Sequence, residues 1–105
     1  MALHRFTTTH LGVVVDTAVA DSEEILYSEY TSGMLVVGTG IASLTWHIAP
    51  EAGGTYVAAN DYDGNAITQT VTAGEAYPIP LALIGNVAIK AVGDAAGTID
   101  VSLKS

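Results

Sequence analysis

The sequence predicts an all-β domain, an antiparallel β-sandwich of jelly-roll or Ig-like type with about eight short strands. Three observations carry this. Apolar and polar residues alternate with period two in several short runs, which puts one side of each run on a core and the other in solvent. Turn signals rich in Gly, Asn, Asp and Pro separate the runs roughly every eight to twelve residues. No segment reads as a convincing helix.

Length and composition bound the answer. A chain of 105 residues makes one domain and buries roughly 65% of the surface that its unfolded form exposes. Apolar residues are 50% of the chain and charged ones 13%, which excludes a disordered tail or a solvated helix bundle. So little charge also suits a surface partly covered by neighbours. Eleven Asp and Glu stand against Arg5, Lys90 and Lys104, for a net charge of −8. Such a surface repels phosphate backbones and anionic lipid, so neither nucleic acid nor membrane is an expected partner. The absence of cysteine removes disulfides, thiol catalysis and cysteine-based zinc sites. No apolar run reaches the length of a membrane span. Thr7-Thr8-Thr9-His10 interrupts the start, so we read no signal peptide.

Residues 1–21 differ from the rest. They hold His4, His10, a threonine run and one apolar patch, Leu11 to Val15, closed by Asp16-Thr17. The plain reading is an edge strand after a frayed terminus. The sharper one is an arm that adds to a neighbouring subunit's sheet, with Leu11, Val13 and Val15 as its interface residues. Residues 22–105 form the sandwich proper. Glu24–Ser28 and Gly33–Val37 are its first two strands, parted by the turn Thr31-Ser32-Gly33. Gly38-Thr39-Gly40 begins a Gly-x-Gly-x-x-Ser string, but the third glycine of a dinucleotide fingerprint is missing and a strand follows where a helix is required. A turn is the expectation.

Leu44 to Ile67 is the stretch around which the chain is organised. Leu44-Thr45-Trp46-His47-Ile48 alternates, putting Leu44, Trp46 and Ile48 on one face and Thr45 and His47 on the other. The lone tryptophan reads as the largest plug of the core, and His47 as an exposed strand histidine. Thr55–Ala59 and Ala66–Val71 are the next strands, on either side of the turn Asn60–Asn65. In Ala76-Tyr77-Pro78-Ile79-Pro80 the two prolines require a sheet edge or corner. Leu81–Ile84 reads as one helical turn over the core. Val87–Val92 is a strand, and in Thr98–Lys104 the residues Ile99, Val101 and Leu103 face inward.

Candidate sites are few. Asp61 and Asp63, with the flanking amides of Asn60 and Asn65, could offer oxygen ligands to calcium. Asp63-Gly64 is equally a strong hairpin-turn signal, and the bidentate Glu of an EF-hand is absent. The histidines have no ligand spacing. The five tyrosines fall near strand ends or turns, where a ring packs while its hydroxyl stays wet. No serine sits in a Gly-x-Ser-x-Gly elbow. No cofactor and no catalytic activity are expected, and a hydrolase is a distant third reading.

Five stretches together resemble small β-sandwich virion proteins of tailed phages, which are capsid decoration (cement) or minor head proteins. They are Gly33–Val37, Ser43–Pro50, Gly53–Ala58, Asp61–Gly64 and the run from Tyr77-Pro78-Ile79-Pro80 to Lys104. The likeness covers about residues 22–104 and is one of texture and turn placement. It implies a homotrimer on the capsid surface of the virion, made in the host cytoplasm, that ties neighbouring subunits of the major capsid protein together. On that view residues 1–20 and one sheet edge meet capsid protein or the adjacent protomer, and the Asp61–Asn65 turn faces solvent. The alternative is a carbohydrate- or receptor-binding β-sandwich module of a virion or secreted protein. It would use Trp46, Tyr56, Tyr62 and Asp61 or Asp63, and it requires those aromatics to be exposed.

Overall fold

A computed structural model describes residues 7–83 and 86–105. The first six residues, with His4 and Arg5, and the Ile84-Gly85 pair lie outside the described residues. The strands are β1 (Thr7–Val15), β2 (Ile25–Leu26), β3 (Ser32–Val37), β4 (Ser43–Ala49), β5 (Val57–Ala58), β6 (Thr68–Thr70), β7 (Ala76–Pro78), β8 (Ala88–Gly93) and β9 (Gly97–Lys104). Single 3-10 turns occupy Val19–Asp21 and Leu81–Leu83. The second of these buries Leu83 against the core.

Two antiparallel sheets form a sandwich. The first runs β1-β9-β3-β7, and the second runs β2-β8-β4-β5, with β6 also on β4. The pairs β1–β9, β2–β8, β3–β7 and β4 with β5 and β6 are the rungs of one long hairpin. Wrapped into two layers, this order is a jelly roll and not the Ig arrangement. Its tip is the stretch from Leu44 to Ile67, where the chain turns back on itself.

The alternation explains the core. Val13 and Val15 of β1, Leu35 and Val37 of β3, and Ile99, Val101 and Leu103 of β9 are buried on the inner side of the first sheet. Leu44 and Trp46 of β4 and Ile89 and Ala91 of β8 face them from the second. Trp46 is 0% exposed. Its indole N–H donates to Gln69 Oε1 at 2.8 Å, and Gln69 Nε2 donates to the Pro78 carbonyl at 2.8 Å. One side chain therefore ties β4 and β6 of one sheet to β7 of the other. Gly38 is fixed by proximity: a Cβ there would stand 2.4 Å from the Thr98 carbonyl oxygen.

Several elements depart from the sequence expectation. Glu24–Ser28, Thr55–Ala59 and Ala66–Val71 shrink to the two or three paired residues of β2, β5 and β6. These strands each pair with one neighbour only, and few ladder bonds hold them extended. Ile48 packs against the core on the expected face, though only half-buried. Tyr27, expected at a wet strand end, is 0% exposed, and its hydroxyl has no hydrogen-bond partner among the described residues. Burial raises the pKa of that hydroxyl. Gly38-Thr39-Gly40 is a turn leading into β4. The proline-bearing β7 lies at a sheet edge, where a missing N–H costs no ladder bond.

Replacing Gln69 by Ala strips both the Trp46 N–H and the Pro78 carbonyl of a partner. The expected loss is about 1–3 kcal/mol in urea-unfolding free energy, whereas the outward Thr70→Ala should change it by less than about 0.5 kcal/mol.

Candidate functional site

The outer faces of the two sheets are treated differently by the chain. On the second sheet the outward residues include His47 of β4 and Lys90 of β8, which are register partners. Tyr56, from the loop after β4, lies over this face with the Lys90 ammonium 4.6 Å from its ring centre. Lys90 Nζ also donates to the Val19 carbonyl at 3.0 Å. The Tyr56 hydroxyl donates to Glu24 Oε1 at 2.6 Å, and the Gly53 N–H donates to the same oxygen at 2.8 Å. Those two donors hold the Glu24 carboxyl below its ordinary value, the tyrosine contributing most. Desolvation, followed by the carboxylate, pushes the Tyr56 hydroxyl up. This clasp draws the 16–24 and 50–56 segments over the face. Its outward residues Ala49 and Ala88 are buried. His47 is half-buried and not exposed, with Nδ1 lacking a partner among the described residues.

The outer face of the first sheet is bare. Register sets Thr9, Ser102, Met34 and Pro78 in one row across it, and Thr7, Lys104 and Ser32 in the next. Met34 is 46% exposed, Val36 43% and Leu81 73%. Beside them lies an open groove of about 470 Å³, lined by Met34, Pro78, Ile79, Leu81, Leu103, Lys104 and the hydroxyl residues Thr7, Thr8, Thr9, Ser32 and Ser102. Of the eleven carboxylates, only Asp100 lies on a strand of this sheet. Its Oδ1 is held by the Gly12 N–H at 2.8 Å. Lys104 is the one cation on those strands. A sheet face with apolar and hydroxyl side chains and almost no charge binds by shape and apolar burial.

The residues singled out in the sequence separate. Leu11 is 77% exposed, but Val13 and Val15 belong to the chain's own core; of the three expected interface residues, only Leu11 can meet a partner. Residues 7–15 form the outermost strand of the first sheet. Asp61 Oδ1 accepts the N–H groups of Asp63 at 2.9 Å and Asn65 at 3.0 Å, so this carboxylate closes a hairpin turn with Gly64 at φ +83°. No group of three metal-binding side chains occurs among the described residues. Tyr62 stands fully exposed beside Asn60 and Asp61, whereas Trp46 is sealed in the core and Tyr56 is engaged in the clasp. Met34 and Val36 were not singled out from sequence. Their signal was there: Gly33–Val37 is apolar throughout, the mark of a strand covered on both sides.

Comparison with protein-family models and with curated proteins gives no match. Among solved structures, the chain is similar to the SPBc2 prophage-derived protein YomS, with a TM-score of 0.57 and 13% identity, covering 100% of this chain and 98% of that one. At this identity the likeness is one of fold.

The clasp gives a pH prediction. A carboxyl whose folded pKa is depressed stabilises above its ordinary value of 4.5 and loses that contribution as pH falls through the folded value. The Tm advantage of the native chain over Glu24→Gln should therefore be present near about pH 6 and shrink as the pH is taken below 4.5, as followed by circular dichroism.

Proposed function

We infer that this chain is a capsid decoration protein of a tailed phage, acting by binding and not by catalysis. It docks the outer face of β1-β9-β3-β7 on the lattice of the major capsid protein. The observation that carries this reading is the difference between the two outer faces. The chain draws two of its own segments over part of one, where Leu26 at the β2 edge stays exposed, and leaves Val36 bare on the other, with Met34 and Leu81 together along a groove. A monomer gains nothing from exposed apolar side chains on a nearly uncharged sheet, but a protein that lives against a lattice does. The full-length fold likeness to a prophage-derived protein supports the same reading. Weak individual contacts suffice, since a particle presents many sites and linked copies are retained by avidity.

A carbohydrate- or receptor-binding module is the second reading, favoured by Tyr62 standing free beside Asn60 and Asp61 above a cleft of about 300 Å³. It has lost Trp46, which is buried, and Tyr56, whose hydroxyl is committed. A single exposed ring provides little stacking area.

Mixing the purified protein with expanded capsids that lack it, followed by sedimentation, tests the proposal. The native chain should co-sediment, and Met34→Asp should weaken binding at least about tenfold by placing a charge at the centre of an apolar contact, with unchanged Tm. Failure to co-sediment, or full binding by Met34→Asp, would overturn it.

A further inference from the structure

The outermost strand β1 is sealed along one half and open along the other. Lys104 accepts a hydrogen bond from the Thr31 N–H at 3.0 Å, and Thr98 accepts one from the Gly38 N–H at 2.9 Å. These even-numbered residues of β9 thus direct their backbone groups toward β3, and Val101 and Leu103 direct theirs toward β1. Val101 lies opposite His10 and Leu103 opposite Thr8. It follows that Thr8 and His10 bond to β9, and that Thr7 and Thr9 turn their N–H and C=O groups to the free edge. Beyond the bulge at Leu11-Gly12, where Gly12 has φ +67°, Val14 faces the same way. There Glu23 closes the edge: Val14 N–H donates to its carboxylate at 3.1 Å, and the Glu23 N–H donates to the Val14 carbonyl at 2.9 Å. No group among the described residues does the same for Thr7 and Thr9.

We propose that a second copy of this chain covers the open half, pairing antiparallel across a two-fold axis at Thr9 to join two four-stranded sheets into one of eight. Thr9 N–H donates to the partner's Thr9 carbonyl and receives the reciprocal bond, and Thr7 comes opposite the partner's Leu11. Charge argues for self-pairing. The chain carries −8 overall, yet β1 holds no Asp, Glu, Lys or Arg, so two like-charged copies meet there without carboxylates facing each other across the strand. The other edges do not serve: β2 and β5 are two residues long, β6 is three, and β7 is three residues ending in Pro78. With one usable edge per copy, the contact is isologous and closes as a pair, in place of the homotrimer that the phage resemblance implies. Thr7 also borders the groove, so pairing makes the bare outer faces of two copies continuous.

The test needs no capsid, which separates it from the docking proposal. Light scattering over a concentration series should show the mass rising from that of one chain to that of two. Thr9→Pro removes an outward N–H while sparing the β9 ladder, so it should raise the dimer dissociation constant at least about tenfold and keep the native Tm at dilutions where both chains are monomeric. Thr8→Pro, whose N–H bonds to β9, should instead lower the Tm. A native chain that stays monomeric at every concentration, a mass of three chains, or undiminished pairing by Thr9→Pro would each overturn the proposal.

Discussion

The buried indole of Trp46 needs a partner for its N–H, and the rest of the sandwich is arranged around meeting that need. An indole at the centre of a small core contributes a large apolar area but carries a donor that is costly to leave unpaired. Gln69 supplies the acceptor and passes its own N–H on to Pro78 of the facing sheet. The same tie places β6 beside β4 and holds the proline-bearing edge strand β7 against the second layer. Burial of the indole is thus linked, through one side chain, to the pairing of β6 with β4 and to the seat of β7 in the facing sheet.

With the inner faces committed, what distinguishes the molecule is how its outer faces are finished. On one, Glu24, Tyr56 and Lys90 interlock and bring loop segments over the sheet. On the other, short hydroxyl side chains and a few apolar ones face outward, and the acidic residues lie elsewhere except for Asp100, which is engaged at the β1 bulge. A jelly roll hosts lectins, enzymes and capsid proteins alike, so the fold does not choose among them. A nearly uncharged face with exposed apolar side chains suits burial against an extended surface.

Much of this was legible in the residues, and what was not has a physical reason. Thr98–Lys104 alternates cleanly because β9 sits between β1 and β3 with one side wet, and period two is what such a position requires. Trp46 as core followed from the same rule. The inward place of Gln69 was implied by its position between Thr68 and Thr70, yet its purpose depends on Pro78 and Trp46 arriving from elsewhere in the chain. Strand order was unreadable because every rung of the long hairpin except its tip joins residues far apart in sequence. Val13 and Val15 looked like partners for another molecule because alternation reveals that a side is apolar, not whose core it enters. The clasp was hidden for the same reason: Glu24, Tyr56 and Lys90 share no spacing and meet only after the sheet has formed.

Hydroxyl-radical footprinting of the protein bound to expanded capsids measures directly which face is covered. Met34 on the bare face and Tyr62 at the Asn60–Asn65 turn are both exposed in the free chain, and both side chains react readily with the radical. Protection of Met34 with Tyr62 still labelled is the expected result. Protection of Tyr62 with Met34 still labelled would contradict the assignment of the β1-β9-β3-β7 face as the docking surface and transfer it to the turn.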